Sequence, residues 1–556
     1  MKKSLPLTLA LCSVLIALHA PLLSLPYFWD EAGYYIPAAR DLLLIGSLLP
    51  HSVAASAHPP LVPASIALAW KLTRFSPVAT RIVMLAWAAL ALTGLFALAR
   101  RISNDTVAFA TVALTAVYPV FFSQSAMAQL DMAVAALIFW GLDSYFGTVR
   151  FRSAVFFSLA VLAKETAIIT PLAILLWEAI SNRWCPTFAP RSSPARSRGN
   201  DSPHPDKPSG SPLADYAALL FPLLPLALWL LYVRLHTGHL FGDPAFTSYN
   251  LGATLSPARF LFALPQRLWH ALGHMNLYVL TIATALAMMF PPAPSESRQA
   301  GISPFRHPLA EAEDSERPRI AIPTQFAFAA VILAHVVAFS LVGGALLARY
   351  MLPVVPLVIL ICVSTLWRRL PYWPAAIALV AACFVLALFV NPPYRFAPED
   401  NLAWRDFVVL HEDAARHFQR PNYNPRVLTA WPASDELTRP YLGYVPWPAR
   451  VLRIENFTLE ELEAAAQRND WDVALVFSTK YEPPRGSLLD RWEFWRRAHQ
   501  RWFDYHRDLP PALAAQVLAG RLTWQESRGG QWIAIIEINR LVNARNDAPR
   551  INADER

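Results

Sequence analysis

Apolar runs close to the length of a bilayer crossing recur through the first 390 residues, and they limit the fold more than any other feature. They cover roughly 4–25, 78–99, 104–123, 131–148, 153–180, 214–235, 271–291, 323–346, 350–367 and 372–390. A helix needs about 20 apolar residues to cross the hydrocarbon core, so a polytopic α-helical membrane protein is expected. Of the 556 residues 55% are hydrophobic and only 16% charged, too apolar over too great a length for one water-soluble core. Met1-Lys2-Lys3 followed by Leu5–Leu25 has the outline of a signal peptide. No small-residue cleavage site precedes Asp30 and many apolar runs follow, so the segment reads as a retained anchor.

The formal charge of +8 sits largely in short loops, where it orients a membrane protein; nucleic acid is not expected as a partner. The run 153–180 exceeds one span and carries Lys164-Glu165 at its middle. Arg150 and Arg152 precede it, and Arg183, Arg191, Arg196 and Arg198 follow it. With both flanks cytoplasmic, the run must enter and return as two short helices turning near Lys164. That gives about eleven spans, a cytoplasmic N-terminus and an external C-terminal region. Arg100-Arg101 and Trp367-Arg368-Arg369 fall inside by alternation, as do the Pro-rich, charged loops 182–213 and 292–320. Residues 26–77 form the first outer loop, with 61–72 as an interfacial helix. Cys12, Cys185, Cys362 and Cys383 have neither metal-site spacing nor a disulfide framework.

Beyond Pro392-Pro393 the pattern changes, dividing the chain into 1–390 and 391–556. Arg426–Trp431, Val451–Ile454, Val473–Phe477 and Trp532–Ile538 read as buried strands. Thr458-Leu459-Glu460-Glu461 is a capping box opening an amphipathic helix to about Gln467. Strands alternating with helices predict a small α/β domain, extracytoplasmic because the span count is odd.

Two adjacent carboxylates, Asp30-Glu31, follow the first apolar run. Such a pair is costly in lipid, so the chain turns there into water or a polar cavity. Carboxylates at a membrane exit serve as a general base or as hard-cation ligands, or they simply mark a helix end. Four other polar elements reach the same face, and each has a plain alternative. Asp131 in Gln129-Leu130-Asp131-Met132 can be an N-cap, and Pro59-Pro60 after His58 can start the interfacial helix. Arg349-Tyr350 can anchor at the interface, and Lys164-Glu165 can close a hairpin as a local ion pair. Their convergence on one face favours a site.

These elements resemble the membrane-embedded GT-C glycosyltransferases, in particular the protein O-mannosyltransferase and lipid A aminoarabinose transferase relatives of glycosyltransferase family 39. The matching pieces are Asp30-Glu31, His58-Pro59-Pro60-Leu61, Gln129-Leu130-Asp131-Met132, Leu162-Ala163-Lys164-Glu165-Thr166 and Arg349-Tyr350-Met351-Leu352-Pro353. The resemblance covers roughly 1–390, and Glu165 stands where many relatives have Gly. It implies transfer of a sugar from a polyprenyl-phosphate donor to a cell-envelope acceptor (glycan, lipid or protein) outside the cytoplasm, in a bacterial inner membrane. Asp30 is then the base for an inverting displacement, and Glu31 orients it or the acceptor. Asp131 completes the acidic side, and Lys164, Arg349 and Tyr350 meet the lipid phosphate, whose growing charge needs cations. His58, Pro59 and Pro60 shape the outer loop. The resemblance fixes no cofactor, and a divalent metal between Asp30 and Asp131 is left open, since hard cations take oxygen ligands. A lipid-linked donor needs no nucleotide loop, and none is visible. The rival is a transporter of a lipid-linked or small solute, which would also place charges in intramembrane cavities. Missing internal repeats and acids at span ends weigh against it. A sugar-binding or scaffold descendant of such an enzyme is a third reading.

Overall fold

The computed structural model describes residues 4–184, 212–252, 254–293, 318–419, 423–468, 470–483, 491–503 and 506–538. The expected cytoplasmic loops 182–213 and 292–320 fall almost wholly outside them. Among the described residues, four helical stretches are long and apolar enough to cross a membrane: Leu5–Leu22, Pro77–Ile102, Ala214–Thr237 and Ile322–Leu341. Leu61–Leu72, Asp105–Val117 and Trp373–Phe389 are apolar but shorter.

The short lengths have local causes. The first run is α1 (Ser4–His19), ended by a tight turn at Ala20–Leu22. After the outer-loop helices α2 (Ile36–Ile45) and α3 (Leu61–Leu72), α4 spans Pro77–Ile102. Ser76 caps α4 by accepting from the Ala79 amide, and Pro77 occupies the first turn, where a missing amide costs nothing. Asn104 likewise caps α5 (Asp105–Val117). Pro119 forces Tyr118 into an extended conformation, so the run 104–123 divides into α5 and α6 (Pro119–Gln124). α7 (Leu130–Phe146) is buried on every side from Leu130 to Ser144, as a helix apolar all round must be. Gly141 lets α8 (Arg150–Ala163) approach: a methyl there would lie 2.5 Å from the Phe157 ring.

The helix breaks at Lys164, which is extended, and resumes as α9 (Ile169–Trp184). Tyr145, at the α7–α8 junction, donates to Glu178 near the end of α9. The start of α8 and the end of α9 therefore lie at the same end of the bundle, so the run goes up and returns as the sequence led us to expect.

C-terminal to the last apolar helix (Trp373–Phe389), a five-stranded sheet has the order β2-β1-β3-β5-β4. Its strands are β1 (Arg426–Ala430), β2 (Arg450–Ile454), β3 (Val473–Phe477), β4 (Gly520–Arg528) and β5 (Gln531–Ile538). β1 runs parallel to β2 and β3, pairing Val427 with Val451 and with Val473; β5 is antiparallel to β3. β3 is buried throughout, the continuous apolar pattern of a strand covered on both faces. The helix after the capping box is Leu459–Arg468. β4 was not anticipated, because its residues alternate between half-buried and exposed and carry edge-strand charge.

Sheet and bundle meet at the loop after α1. Tyr27 donates its amide to Leu442 O at 3.3 Å, and Tyr444 donates its hydroxyl to Tyr27 O at 3.1 Å. The loop is pinned from below by Arg81 in α4. That guanidinium, wholly buried, donates to Ala126 O at 2.8 Å, Pro26 O at 2.9 Å and Glu31 Oε1 at 3.2 Å. It also lies 5.1 Å from the Trp404 ring. Glu31 accepts in turn from the Phe28 and Ala128 amides at 2.9 and 2.6 Å. Removing one member of a buried ion pair leaves the other uncompensated. Glu31→Ala should therefore lower stability by about 3–5 kcal/mol, read as a drop in thermal midpoint in detergent. The paired change Arg81→Met with Glu31→Leu should lose less than Glu31→Ala alone.

Candidate active site

The site is assembled around one side chain. Arg349 sits in a tight turn, Ala348–Met351, immediately before the helix Val355–Arg369, and is almost fully buried. Its Nη2 donates to Asp30 Oδ2 and its Nη1 to Glu399 Oε2, both at 2.5 Å, and its Nε lies 3.4 Å from Asp131 Oδ2. Lys164 donates to the other Asp131 oxygen at 2.7 Å, and its ammonium stands 4.2 Å over the Tyr350 ring. The break between α8 and α9 is what delivers Lys164: with the helix interrupted, the turn reaches the first turn of α7, where Asp131 lies. Asp131 is thus an ion-pair member, not a cap; Gln129 occupies the cap position without a side-chain bond.

The loop that carries Arg349 is itself held by two buried arginines on the helix Pro257–Leu272. Arg267 donates to Leu347 O at 2.7 Å and Phe339 O at 3.2 Å; Arg259 donates to Ser340 O at 3.3 Å and to Gly343 O. Neither was singled out from the sequence. They satisfy the carbonyls of an irregular loop, as backbone in an apolar environment requires.

Asp30 opens a five-residue π-helix, Glu31–Tyr35, and the residue before it, Trp29, has φ +44°. Both features are uncommon, and both concentrate at functional sites. Among the members of the cluster Asp30 is the open one: its side chain is 18% exposed, against 3% for Arg349, 5% for Asp131, 4% for Glu399 and 6% for Lys164. Glu31 points away from this cluster into the Arg81 pair, with both oxygens occupied. His58 contacts Glu165 at 2.9 Å (Nδ1 to Oε2), beside the Lys164 turn, and Pro60 precedes α3 as its cap residue. Tyr34, Tyr35, His58, Pro59, Pro60 and Leu130 line a cleft between the outer-loop helices.

Glu399 was missed. It follows the last apolar helix in Pro398-Glu399-Asp400, an acidic pair at a span exit, the same signal that drew attention to Asp30-Glu31. Burial pushes its carboxyl up to about 8 against the pull of Arg349, with Asp30, Asp400 and Asp131 adding to the rise. Its free Oε1 has no hydrogen-bond partner. A divalent cation does not fit this arrangement, because the guanidinium occupies the space between Asp30 and Asp131. Among the described residues no cluster of three or more His, Cys, Asp or Glu suited to a metal occurs.

Residues 57–191 match the family model of dolichyl-phosphate-mannose-protein mannosyltransferases, a segment that holds His58, Asp131, Lys164 and Glu165. Two solved structures of ArnT from Cupriavidus metallidurans align over nearly the whole chain. The form bound to undecaprenyl phosphate covers 95% of this chain and 97% of its own, with TM-score 0.51 and 12% identity. The apo form covers 94% and 97%, with TM-score 0.50 and 12% identity. Comparison with curated sequences gives no match. The resemblance read from five short motifs thus rests on a family model and a whole-chain fold: this is a multi-pass membrane protein with the GT-C fold of ArnT, similar over residues 57–191 to the protein mannosyltransferases.

Proposed function

We propose that this chain is an integral membrane glycosyltransferase that moves a sugar from a polyprenyl-phosphate donor to a cell-envelope acceptor on the outer face of the membrane. The observation that carries the reading is the Arg349 cluster, in which one buried guanidinium gathers Asp30, Asp131 and Glu399 and leaves only Asp30 open. The fold shared with ArnT, seen with undecaprenyl phosphate, agrees with a lipid-phosphate donor. The chain then crosses a bacterial inner membrane about eleven times, N-terminus inside, with 1–390 as the transferase domain and 391–556 outside. A transporter is the weaker reading, since the charged groups converge on an external site instead of lining a path.

In the proposed reaction the acceptor hydroxyl oxygen bonds to the anomeric carbon from the face opposite the phosphate. Its proton passes to Asp30. The bond between anomeric carbon and phosphate oxygen breaks, and its electron pair stays on the phosphate, whose charge Lys164 and Arg349 offset. The sugar is inverted in this single step. Tyr350 sets the position of Lys164 through its ring face, and Glu31 acts at a distance by fixing the loop on which Asp30 stands.

The reading is tested on purified protein given polyprenyl-phosphate sugars and envelope extracts. Asp30→Asn keeps shape and hydrogen bonding but removes the basic oxygen, so turnover should fall by about 10²–10⁴-fold at matched expression. Glu31→Gln should cost less. Near-normal turnover in Asp30→Asn would move the base elsewhere.

The cations make a second test. Lys164→Ala should raise the donor KM, and Arg349→Lys should restore only part of what Arg349→Ala loses, because an ammonium cannot serve three carboxylates as the guanidinium fork does. Unchanged donor kinetics in Lys164→Ala and Arg349→Ala together would place the phosphate elsewhere.

The third concerns pH. A carboxyl whose folded value is raised to about 8 contributes its full stability below the ordinary carboxyl range, and that contribution is lost as pH rises through about 8. Glu399→Gln keeps a neutral group at that place. The thermal midpoint of the natural chain should therefore fall more steeply between about pH 5 and pH 8 than that of Glu399→Gln. Parallel curves would show that Glu399 is ionised throughout.

A further inference from the structure

The C-terminal sheet has a role to be found, and its topology says where to look. β1 lies between β2 and β3, so the connections leaving β1 and reaching β3 pass on opposite sides. In open α/β sheets a crevice forms at the carboxyl ends of the strands where the order reverses, and ligands bind there. The first residue off the carboxyl end of β1 is Trp431. Its indole does not stay within the sheet region: it lies against the π-helix that Asp30 opens. A methyl on Gly33 would stand 2.8 Å from the Trp431 ring, so only glycine permits this approach. Trp29 meets Trp431 edge to face at 5.0 Å, and Tyr34 lies 6.2 Å from it.

None of these three rings is buried, and Tyr34 is 42% exposed. Trp29 adjoins Asp30 in sequence, and its left-handed backbone is held by tertiary contacts, including the edge of Phe407 at 5.4 Å. A polar rim borders the rings. Asp435 accepts a hydrogen bond from Trp431, Arg439 stands 3.5 Å from Asp435, and the exposed Arg453 acts electrostatically on both Asp435 and Tyr34. Arg349 holds the buried flank of Asp30, which leaves the aromatic flank for the second substrate.

We infer that Trp431, Tyr34 and Trp29 form the acceptor wall, and that the acceptor is a glycan, seated with the apolar face of a pyranose on the rings and its hydroxyls on Asp435 and Arg453. Flat apolar surfaces with a few convergent polar groups are what such a ligand needs. The inference rests on the glycosyl-transfer reading and adds to it the acceptor class and a function for the sheet.

The test uses the full-length protein in detergent with a panel of hexose, hexosamine and pentose disaccharides and, separately, Ser/Thr peptides. Tryptophan fluorescence is titrated with each, and transfer kinetics are measured with a polyprenyl-phosphate sugar. Trp431→Ala should weaken disaccharide binding about tenfold and raise the acceptor KM by a similar factor, with kcat moving less. Trp431→Phe should recover part of the loss. Gly33→Ala, which displaces the indole without touching a ligand, should reproduce the Trp431→Ala pattern. Peptide binding that depends on Trp431 with no disaccharide binding would overturn the glycan assignment. Equal acceptor KM in natural chain and Trp431→Ala would overturn the wall. Disaccharide binding that depends on Trp431, with no donor turnover in the natural chain, would sink the transferase reading and leave the wall standing.

Discussion

Everything in the site depends on a buried guanidinium shared among carboxylates. Arg349 touches Asp30 from the first outer loop, Asp131 from the start of α7 and Glu399 from beyond the last apolar helix. A lone charge at that depth would be prohibitive, and a lone pair would be weak evidence of stability, since desolvation offsets attraction. A network is different. Each carboxylate fixes one arm of a rigid fork, so segments hundreds of residues apart are set in register by one planar group. The supporting arrangement follows from that demand. Arg267 and Arg259 order the loop behind Arg349, and the break at Lys164 brings a second cation to the free Asp131 oxygen.

Much of this was legible because lipid punishes misplaced charge. Asp30, Asp131 and Arg349 stood out as polar residues at the ends of apolar runs and Lys164 as a charge in the middle of an over-long one, and the structure brings all four together. Adjacent residues misled for a geometric reason. Asp30 and Glu31 look equivalent in sequence, yet the π-helix sends one to Arg349 and the other to Arg81. Glu399 escaped notice because it belongs to the region read as a separate domain, and sequence pattern does not reveal that this region reaches back into the bundle. Arg81, Arg259 and Arg267 were hidden differently: each lies inside a helix and bonds mainly to carbonyls, which leave no trace in composition.

The sheet shows the same division. Strands with continuous apolar patterns, such as β3, announce themselves. The alternating edge strand β4 does not, because its half-exposed residues are those of many loops. Tertiary pairing with β5, register by register from Gly520–Ile538 to Arg528–Gln531, decides its structure.

On the proposed transferase reading, the cluster also constrains how a lipid phosphate would enter. The cations that would meet it are already engaged by carboxylates, Lys164 by Asp131 and Arg349 by Asp30, Asp131 and Glu399. An arriving phosphate must therefore compete with those acids or draw the cations partly from them, and an Arg349 arm that turns to phosphate leaves an Asp30 oxygen open to an acceptor hydroxyl. In the proposed reaction, donor binding and the release of Asp30 are thereby coupled through Arg349, the one group that would touch both. The uncommon backbone at Trp29 and the π-helix beside it fit this account, because Asp30 must stay where it is when its partner is shared.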